Sequence, residues 1–289
     1  MLTGFSALSR LDRTTDLSGI SQIQVLVWGR GSECLALYAS SLETAEPQEK
    51  FMGIMYDDLA KWWPVLSPVA DYAEEAGFFG KLIDDFGLPA NASMIEFGAG
   101  GGNNASYFKS RFNEVLLTDL SADMLAISAQ LNPECAHAVG DMRTFDAAAT
   151  FDVVFIHDAI DYMTTLDDLN VVFRNVYKHC KTDGLVMLVP DCTRETYEAS
   201  TDHGGSDSEE RSLRFLEWSY DPDPEDTHTV VEYVFAFREG DGPVRSEHET
   251  HHCGLFSREQ WIAGLSGAGF VVTTVIDSYE REVFLGRRY

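Results

Sequence analysis

Runs of apolar residues alternate with helix-spaced apolar positions through the middle of the chain. Short apolar runs that predict strands occupy residues 94–97, 115–119, 135–141, 151–158 and 184–191. Between them, apolar residues recur at the three- and four-residue spacing of an amphipathic helix. Near-continuous apolar strands that alternate with helices are typical of a parallel sheet covered on both faces. We therefore predict an α/β domain with right-handed crossovers between its strands.

Two helical segments are predicted ahead of this sheet. Residues 51–63 have a helical pattern that should end before Pro64, because proline cannot continue a helix. A second helix should follow Ser67, whose side chain can cap its first turn. We interpret residues 49–90 as a helical lid over a ligand, although aromatic residues at helical spacing lie more often in a core. The candidate pocket residues of this lid are Tyr56, Trp62, Trp63 and Tyr72.

Residues 1–48 are predicted to be an N-terminal extension. Two apolar runs, residues 22–28 and 33–40, flank the turn-forming sequence Gly-Arg-Gly. That arrangement is typical of a β-hairpin. An isolated hairpin is marginally stable, so this one would have to pack on another part of the chain.

The alternation of strands and helices stops at residue 193. Residues 193–226 are acidic and rich in turn-forming residues, which predicts an excursion rather than sheet. Apolar runs on both sides of Gly240-Asp241-Gly242 then predict a hairpin. We interpret residues 193–256 as an inserted β-hairpin cap that folds over the end of the sheet, with Trp218 as a candidate pocket residue. A helix with a capping box of Ser257 and Gln260, and a terminal pair of strands, should complete the domain.

Three histidines lie close together in the second strand of this hairpin. Strand alternation puts His248, Thr250 and His252 on one face and His251 on the other. One interpretation is a solvated hairpin face. The functional interpretation has a histidine at the ligand pocket, with His248 and His252 as the candidates.

A glycine-rich turn follows the first strand of the predicted sheet. Glu96, Gly98, Gly100 and Gly102 alternate along the sequence Glu-Phe-Gly-Ala-Gly-Gly-Gly. Glycine lets the backbone turn sharply and lets a ligand approach where a β-carbon would block it. The N–H groups at the start of the following helix favour a carboxylate or a phosphate. Several classes of cofactor use such a turn.

Two acidic residues further along the chain narrow the choice of cofactor. Asp119 ends the second strand, where a carboxylate can accept hydrogen bonds from the ribose of a nicotinamide dinucleotide or of S-adenosylmethionine (SAM). A dinucleotide site prefers a third glycine at the position of Asn103. Asp141 closes the third strand and can accept a hydrogen bond from an adenine amine, with Met142 over the ring. These residues favour SAM and leave a nicotinamide-dependent oxidoreductase as the alternative.

Five segments occur in order along the chain: EFGAGGG (96–102), LLTDLSADML (116–125), GDMRTF (140–145), FDVVFIHDAIDYM (151–163) and LSGAGF (265–270). This ordered set resembles the class I SAM-dependent methyltransferases, over about residues 50–289. Three further segments, TDHGG (201–205), LEWSYDPDPED (216–226) and HETHHCGLFSREQW (248–261), are similar to those of a bacterial subgroup that methylates amino sugars and other small metabolites. The resemblance implies a Rossmann-like seven-stranded sheet of order 3-2-1-4-5-7-6, in which only strand 7 is antiparallel. It also implies methyl transfer from SAM to a small-molecule amine or hydroxyl.

The resemblance implies a role for individual residues as well. The glycine turn would hold the methionine end of SAM, Asp119 the ribose and Asp141 the adenine. His157, at the end of the fourth strand, would face the cofactor near the sulfonium. The implied cofactor-binding residues are Glu96, Gly98, Ala99, Gly100, Asp119, Leu120, Met124, Asp141, Met142 and His157.

His157 and Asp158 are the candidate catalytic residues. A hydroxyl acceptor usually needs a base, whereas an amine needs only to be neutral and well placed. His157 could serve as that base or orient the acceptor; the alternative is a strand-end histidine hydrogen-bonded to the backbone. No metal is expected, because Cys192 stands where catechol-type methyltransferases carry an asparagine ligand. A SAM-binding protein without catalysis is a further alternative.

The charge of the chain limits its partners. Forty-seven acidic residues against 21 basic ones give the 289-residue chain a net charge of −26. Such a surface repels phosphodiesters, so neither nucleic acid nor an anionic membrane is expected as a partner. Five scattered cysteines without a C-x-x-C pair predict reduced thiols. With no apolar run of membrane-spanning length and no signal segment, the expected location is the cytoplasm.

Overall fold

Two β-sheets form the framework of the molecule, in a computed structural model that describes residues 53–289. The predicted hairpin of residues 1–48 lies outside the described residues. The strands β3-β2-β1-β4-β5-β11-β10 form a seven-stranded sheet, and β6-β7-β8-β9 form a four-stranded sheet. The strands in chain order are β1 (Ser93–Phe97), β2 (Glu114–Asp119), β3 (Ala136–Val139), β4 (Phe151–Ile156), β5 (Cys180–Leu188), β6 (Ser200–Gly204), β7 (Arg211–Tyr220), β8 (His228–Glu239), β9 (Arg245–Gly254), β10 (Phe270–Ile276) and β11 (Glu282–Arg288).

The order of the seven-stranded sheet confirms the predicted 3-2-1-4-5-7-6. The strands from β1 to β5 pair in parallel. Of the seven strands that form this sheet within residues 53–289, β11 alone runs against its neighbours, β5 on one side and β10 on the other. The carboxyl ends of β1 to β5 therefore meet at one edge, which is where ligand sites form in open α/β sheets.

Helices cover both faces of this sheet. Phe79 and Phe108 pack against one face, and Phe173 and Trp261 against the other. Burial of each such side chain contributes about 1.5–3 kcal/mol to stability. No helix among residues 53–289 is both long and apolar enough to cross a membrane. The helices are α1 (Trp63–Leu66), α2 (Ala73–Phe86), α3 (Asn103–Phe108), α4 (Ala122–Leu131), α5 (Leu166–His179) and α6 (Arg258–Ala268).

Side-chain caps begin two of the helices that cover the sheet, and the one at α6 confirms the predicted capping box. The hydroxyl of Ser121 accepts a hydrogen bond from the backbone N–H of Met124 at 3.0 Å and begins α4. At α6, Ser257 and Gln260 form the reciprocal capping box, with bonds of 3.2 and 2.8 Å. Each cap satisfies backbone donors that a helix leaves unpaired at its start.

The segment before α2 is less regular than predicted. Instead of one helix that ends before Pro64, it forms two 3₁₀ turns, Ile54–Tyr56 and Ala60–Trp62, followed by α1. Pro64 lies in the first turn of α1, where its missing N–H has no partner to lose. Ser67 ends α1 rather than capping α2, and its hydroxyl is hydrogen-bonded to the Tyr72 hydroxyl at 2.8 Å.

The insertion contains more sheet than the predicted hairpin. β8 and β9 are that hairpin. β6 and β7, in the stretch predicted as an excursion, add two antiparallel strands. From Leu213 onward β7 alternates between buried or half-buried and exposed positions, but three of its exposed side chains are Leu216, Trp218 and Tyr220, so the sequence shows no clear alternation of apolar and polar residues.

The segment before α2 packs on the four-stranded sheet. Met55 and Trp62 contact a cluster that includes Leu213, Phe235 and Phe237. The rings of Trp62 and Phe237 lie 4.9 Å apart. This packing holds the segment and the second sheet together over the carboxyl ends of β1 to β5.

Candidate active site

A cavity of about 730 Å³ lies at the carboxyl edge of the parallel sheet. The loops after β1, β2 and β3 line one half of it. The loops after β4 and β5, the segment before α2 and the second sheet line the other half. This volume is large enough for a nucleoside-type cofactor together with a small second ligand.

The glycine turn after β1 has a backbone that few other residues could adopt. Gly98, Gly100 and Gly102 have φ angles of +68°, +52° and +74°. A β-carbon on Gly98 would lie 2.3 Å from the β-carbon of Ala159, which follows β4. The turn therefore requires glycine for its conformation and for its close approach to the next loop.

Replacement of Gly98 by alanine is expected to lower SAM affinity more than tenfold. The new methyl group would be strained at a positive φ and would push the turn away from Ala159. Titration calorimetry with SAM measures the loss. Gly77→Ala is the matched control, because its β-carbon would meet no atom within 4 Å on helix α2. Equal affinity in the two variants would show that the turn does not contact the cofactor.

Asp119 connects the glycine turn to helix α4. One carboxylate oxygen accepts a hydrogen bond from the Gly100 N–H, and the other from the Ser121 N–H, both at 2.8 Å. Burial raises the pKa of Asp119, and these backbone donors oppose that rise. The carboxylate is thus held in one orientation at the cavity wall, with free lone pairs for a ribose.

Asp141 is held by an arginine two residues along the chain. The guanidinium of Arg143 donates to Asp141 at 2.6–3.1 Å and to Asp168 at 3.2 Å. The backbone N–H of Arg143 also donates to Asp141, at 2.8 Å. Met142 and Met124 lie beside this pair in the cavity wall, with Leu120. The role of Arg143 was not predicted from the sequence.

Glu96 is a buried carboxylate with an oxygen that lacks a partner. Its side chain is 2 % exposed, and Oε2 accepts no hydrogen bond from the described residues. Burial raises the pKa of Glu96 to about 8. The methionine part of SAM carries an ammonium group that would satisfy this oxygen. The orphan carboxylate, the glycine turn and the carboxylates of Asp119 and Asp141 therefore fit SAM.

His157 lies in a buried cluster of charges rather than free in the cavity. Its Nδ1 is 3.3 Å from Asp158, and its Nε2 is 3.4 Å from Glu75 and 3.2 Å from Arg281. Burial lowers the pKa of His157, but the charge of Asp158 and hydrogen bonds with both carboxylates outweigh it and raise the pKa to about 10. The ring is therefore an imidazolium at neutral pH, which does not favour the predicted role of His157 as a base.

The contribution of His157 to folding stability should depend on pH. A histidine whose pKa rises on folding adds stability that is fully present below its unfolded pKa of about 6.5 and is lost as pH rises toward 10. Urea unfolding of the parent and His157→Gln should therefore differ more in free energy at pH 6 than at pH 9. A difference that stays constant between those pH values would contradict the ion cluster.

A chain of hydrogen bonds crosses the other half of the cavity. The hydroxyls of Tyr56 and Tyr162 are 2.9 Å apart, and the Tyr162 hydroxyl lies 2.7 Å from Nδ1 of His251. Nε2 of His251 lies 2.5 Å from the carboxylate of Glu249. His251 and Glu249 are each 7 % exposed. The arrangement orients a histidine with a carboxylate on one side and a hydroxyl on the other.

Three of the seven predicted pocket residues, Tyr56, Trp63 and Tyr72, line the cavity, and four do not. Trp62 is fully buried in the cluster with Phe237, because the next residue, Trp63, takes the cavity position. Trp218 is 65 % exposed on the outer face of β7. His248 is hydrogen-bonded to Glu232 on the solvent side, and His252 lies on that same exposed face.

The remaining sequence-predicted site residues line the cavity: Glu96, Gly98, Ala99, Gly100, Asp119, Leu120, Met124, Asp141, Met142, His157 and Asp158. Sequence reasoning missed Asp161, Tyr162, Glu249 and His251. The 3₁₀ turn Asp158–Tyr162 puts Asp161 and Tyr162 in the cavity wall. Strand alternation had separated His251 from its neighbours, but it did not say which face of the strand would be covered.

The chain is similar to known methyltransferases. A methyltransferase-domain family matches residues 95–186. The chain is 27 % identical to dTDP-3-amino-3,6-dideoxy-alpha-D-glucopyranose N,N-dimethyltransferase of Streptomyces fradiae, over 81 % of this chain and 90 % of that protein. It is 28 % identical to dTDP-4-amino-2,3,4,6-tetradeoxy-D-glucose N,N-dimethyltransferase of Saccharopolyspora spinosa, over 69 % of this chain and 79 % of the relative.

Solved structures share the fold. A sugar N-methyltransferase from Streptoalloteichus has a TM-score of 0.70 at 21 % identity, over 89 % of this chain and all of that one. A SAM-bound amino pentose methyltransferase from Micromonospora echinaspora has a TM-score of 0.66 at 24 % identity, over 75 % of this chain and 92 % of its own. None of these proteins supports the nicotinamide-dependent alternative. The matched methyltransferase domain and the fit of the cavity to SAM identify the chain as a SAM-dependent methyltransferase with a Rossmann-like fold.

Proposed function

We propose that the enzyme transfers the methyl group of SAM to an amine of a small molecule. The sequence left amine and hydroxyl acceptors open. The observation that carries the amine is Asp161, whose side chain is 7 % exposed in the cavity wall and whose Oδ1 has no hydrogen-bond partner in the described part of the chain. An ammonium group would satisfy this oxygen with a charge-assisted hydrogen bond. The two curated relatives, both sugar N,N-dimethyltransferases, support the same acceptor chemistry.

The residues that would hold SAM are those of the loops after β1, β2 and β3. Glu96 suits the ammonium, Asp119 the ribose and Asp141 the adenine amine. When bound, SAM supplies a methyl group on a sulfonium, which the amine lone pair displaces to leave neutral S-adenosylhomocysteine. The protein's part is alignment, because a good leaving group needs little further activation.

The proton that the amine must lose has a route through the hydrogen-bonded chain. Glu249 accepts the Nε2–H of His251, which leaves Nδ1 free to accept a proton from Tyr162. Transfer then requires Tyr162 to accept a proton from Tyr56 at the cavity, the reverse of the direction in the structure, where the Tyr162 hydroxyl donates to Tyr56 at 2.9 Å. When the hydrogen bonds run in the opposite direction, Tyr162 donates to Tyr56 and accepts from Nδ1 of His251. Both ring nitrogens of His251 then carry a proton. These two directions of the hydrogen-bonded chain correspond to the states before and after His251 has taken up a proton.

The tyrosines serve as neutral conduits in this scheme. Burial raises the pKa of Tyr56 and of Tyr162 above the usual range of a phenol. Neither would ionise by itself at neutral pH, so a proton can leave one hydroxyl only as another arrives. The base is then His251, oriented by Glu249, as in catalytic sites where a carboxylate orients a histidine.

Release of S-adenosylhomocysteine from matched acceptors tests the proposal. Each amine, such as an amino sugar or a diamine, is compared with the alcohol that replaces its nitrogen by oxygen. We expect product with amines and none above background with the alcohols. Turnover of the alcohols in preference to the amines would overturn the assignment.

A further inference from the structure

The lining of the cavity is strongly acidic. Among residues 53–289, one arginine and no lysine line it, against ten carboxylates. Three of these carboxylates lie at the carboxyl ends of β1, β2 and β3 or in the loops after them, and a fourth, that of Asp168, is bonded to Arg143 in the same half. The other six lie after β4, after β5, in the second sheet or in the turn between β10 and β11. The ten are Glu96, Asp119, Asp141, Asp158, Asp161, Asp168, Asp191, Glu198, Glu217 and Glu280.

The arginine in the cavity lining is already paired with two carboxylates. Arg143 is bonded to Asp141 through three contacts of 2.6–3.1 Å and to Asp168 at 3.2 Å. It also lies in the loop after β3, in the half that suits adenine. Among the described residues, no other guanidinium or ammonium group lines the cavity, so none is free in the acceptor half to neutralise a phosphate.

Negative charge is crowded in the acceptor half. Burial and then the charge of Asp191 raise the pKa of Asp161, while burial and Asp158 raise the pKa of Asp191 to about 6. The cations that face this group are His157 and Arg281. Arg281 lies 3.9 Å from Asp191 but is bonded more closely to Glu75 and Asp277, at 2.7 and 2.8 Å. His157 is paired with Asp158 at 3.3 Å and with Glu75 at 3.4 Å. A positively charged ligand would relieve the repulsion that remains.

Aromatic rings stand beside these carboxylates. Tyr56 is in contact with Trp63 and Tyr162, at ring-centroid distances of 5.8 and 6.1 Å. Tyr233 adds a further ring to the cavity wall. Rings of this kind attract ammonium groups through their π faces, including the methylated ammonium that the reaction forms.

We infer that the acceptor is an aliphatic amine that carries net positive charge and no phosphate group. This inference rests on the proposed function and narrows it. Asp161 would bind the reacting ammonium, and the remaining carboxylates and rings would hold the rest of the molecule. The curated relatives, in contrast, are named for sugars linked to a thymidine diphosphate. Such a group would meet repulsion at every carboxylate of the acceptor half.

Binding of charged probes to the full chain saturated with S-adenosylhomocysteine tests the inference. Spermidine is the cationic amine without phosphate, and dTDP is the diphosphate without amine. Titration calorimetry should give at least tenfold tighter binding for spermidine than for dTDP. Raising the salt concentration should weaken the spermidine complex, because the attraction is between charges. Tighter binding of dTDP, or no detectable binding of spermidine, would overturn the inference.

Two variants test whether Asp161 is responsible for the binding of spermidine. Asp161→Asn should weaken spermidine binding at least tenfold and leave S-adenosylhomocysteine binding unchanged. Asp167→Asn is the matched control, because it removes the same charge from an exposed position on α5 outside the cavity. Equal effects of the two variants would contradict an ammonium site at Asp161. This measurement needs no methyl transfer. Methylation of a dTDP-linked amine would therefore refute only the inference that the acceptor is positively charged and lacks phosphate. If no amine is methylated, the proposed function itself is refuted.

Discussion

Replacement of Asp119 by alanine is expected to weaken SAM binding by about 2–4 kcal/mol, or roughly 30- to 1000-fold. The variant loses two charge-assisted hydrogen bonds to the ribose. It also loses the carboxylate that holds the Gly100 and Ser121 N–H groups, so the glycine turn is no longer fixed. Titration calorimetry with SAM gives the affinity.

A control for this variant lies four residues along the chain. Asp123→Ala removes the same carboxylate from an exposed position in the first turn of α4. It should bind SAM like the parent and should cost only a few tenths of a kcal/mol to about 1 kcal/mol of stability. If Asp119→Ala bound SAM as tightly as Asp123→Ala, the ribose contact would be refuted.

Replacement of His251 by glutamine should lower the rate of methyl transfer about 10²- to 10⁴-fold at neutral pH while SAM affinity stays near normal. The variant keeps a polar side chain next to Tyr162 but cannot take up the proton of the amine. Single-turnover methylation at saturating SAM separates this step from binding. The deficit should shrink as pH rises, because more of the amine then enters the site without its extra proton.

The neighbouring histidine provides the control. His252→Gln makes the same change one residue along β9, on the solvent side of the sheet, and should react at the parent rate. Glu249→Gln should lower the rate as well, but less than His251→Gln, since Glu249 orients the ring and takes no proton itself. If His251→Gln transferred the methyl group at the same rate as His252→Gln, the proposed role of His251 as the base would be refuted.

The central sheet could be predicted from the sequence because its signal is local. Each parallel strand is buried on both sides, so β4 is apolar at nearly every position and stands out from the helices around it. The strand order came from the resemblance to a family, since hydrophobic periodicity contains no information about neighbours. The prediction of one helix in the segment before α2 was wrong for a related reason, because it too depends on packing between distant parts of the chain. Its two 3₁₀ turns follow the shape of the second sheet, on which Met55 and Trp62 pack.

The SAM half of the cavity was also accessible to sequence reasoning. Glu96, Asp119 and Asp141 each end a parallel strand, and parallel strands bring their carboxyl ends to one edge. The acceptor half was not accessible in the same way. Tyr162 and His251 are 89 residues apart and meet only because the second sheet folds over the end of β4. Strand alternation put His248 and His252 on one face and His251 on the other, but the choice between faces depends on that packing.

The location of a labelled methyl group tests the account most directly. The enzyme is incubated with SAM that carries a ¹³C-methyl group and with amino sugars that offer both an amine and several hydroxyls. Nuclear magnetic resonance then identifies the atom that bears the label. The account predicts a ¹³C-methyl group on nitrogen, formed by the parent and by His252→Gln at similar rates. A label on oxygen, or no transfer to any amine by an enzyme that binds SAM, would contradict it.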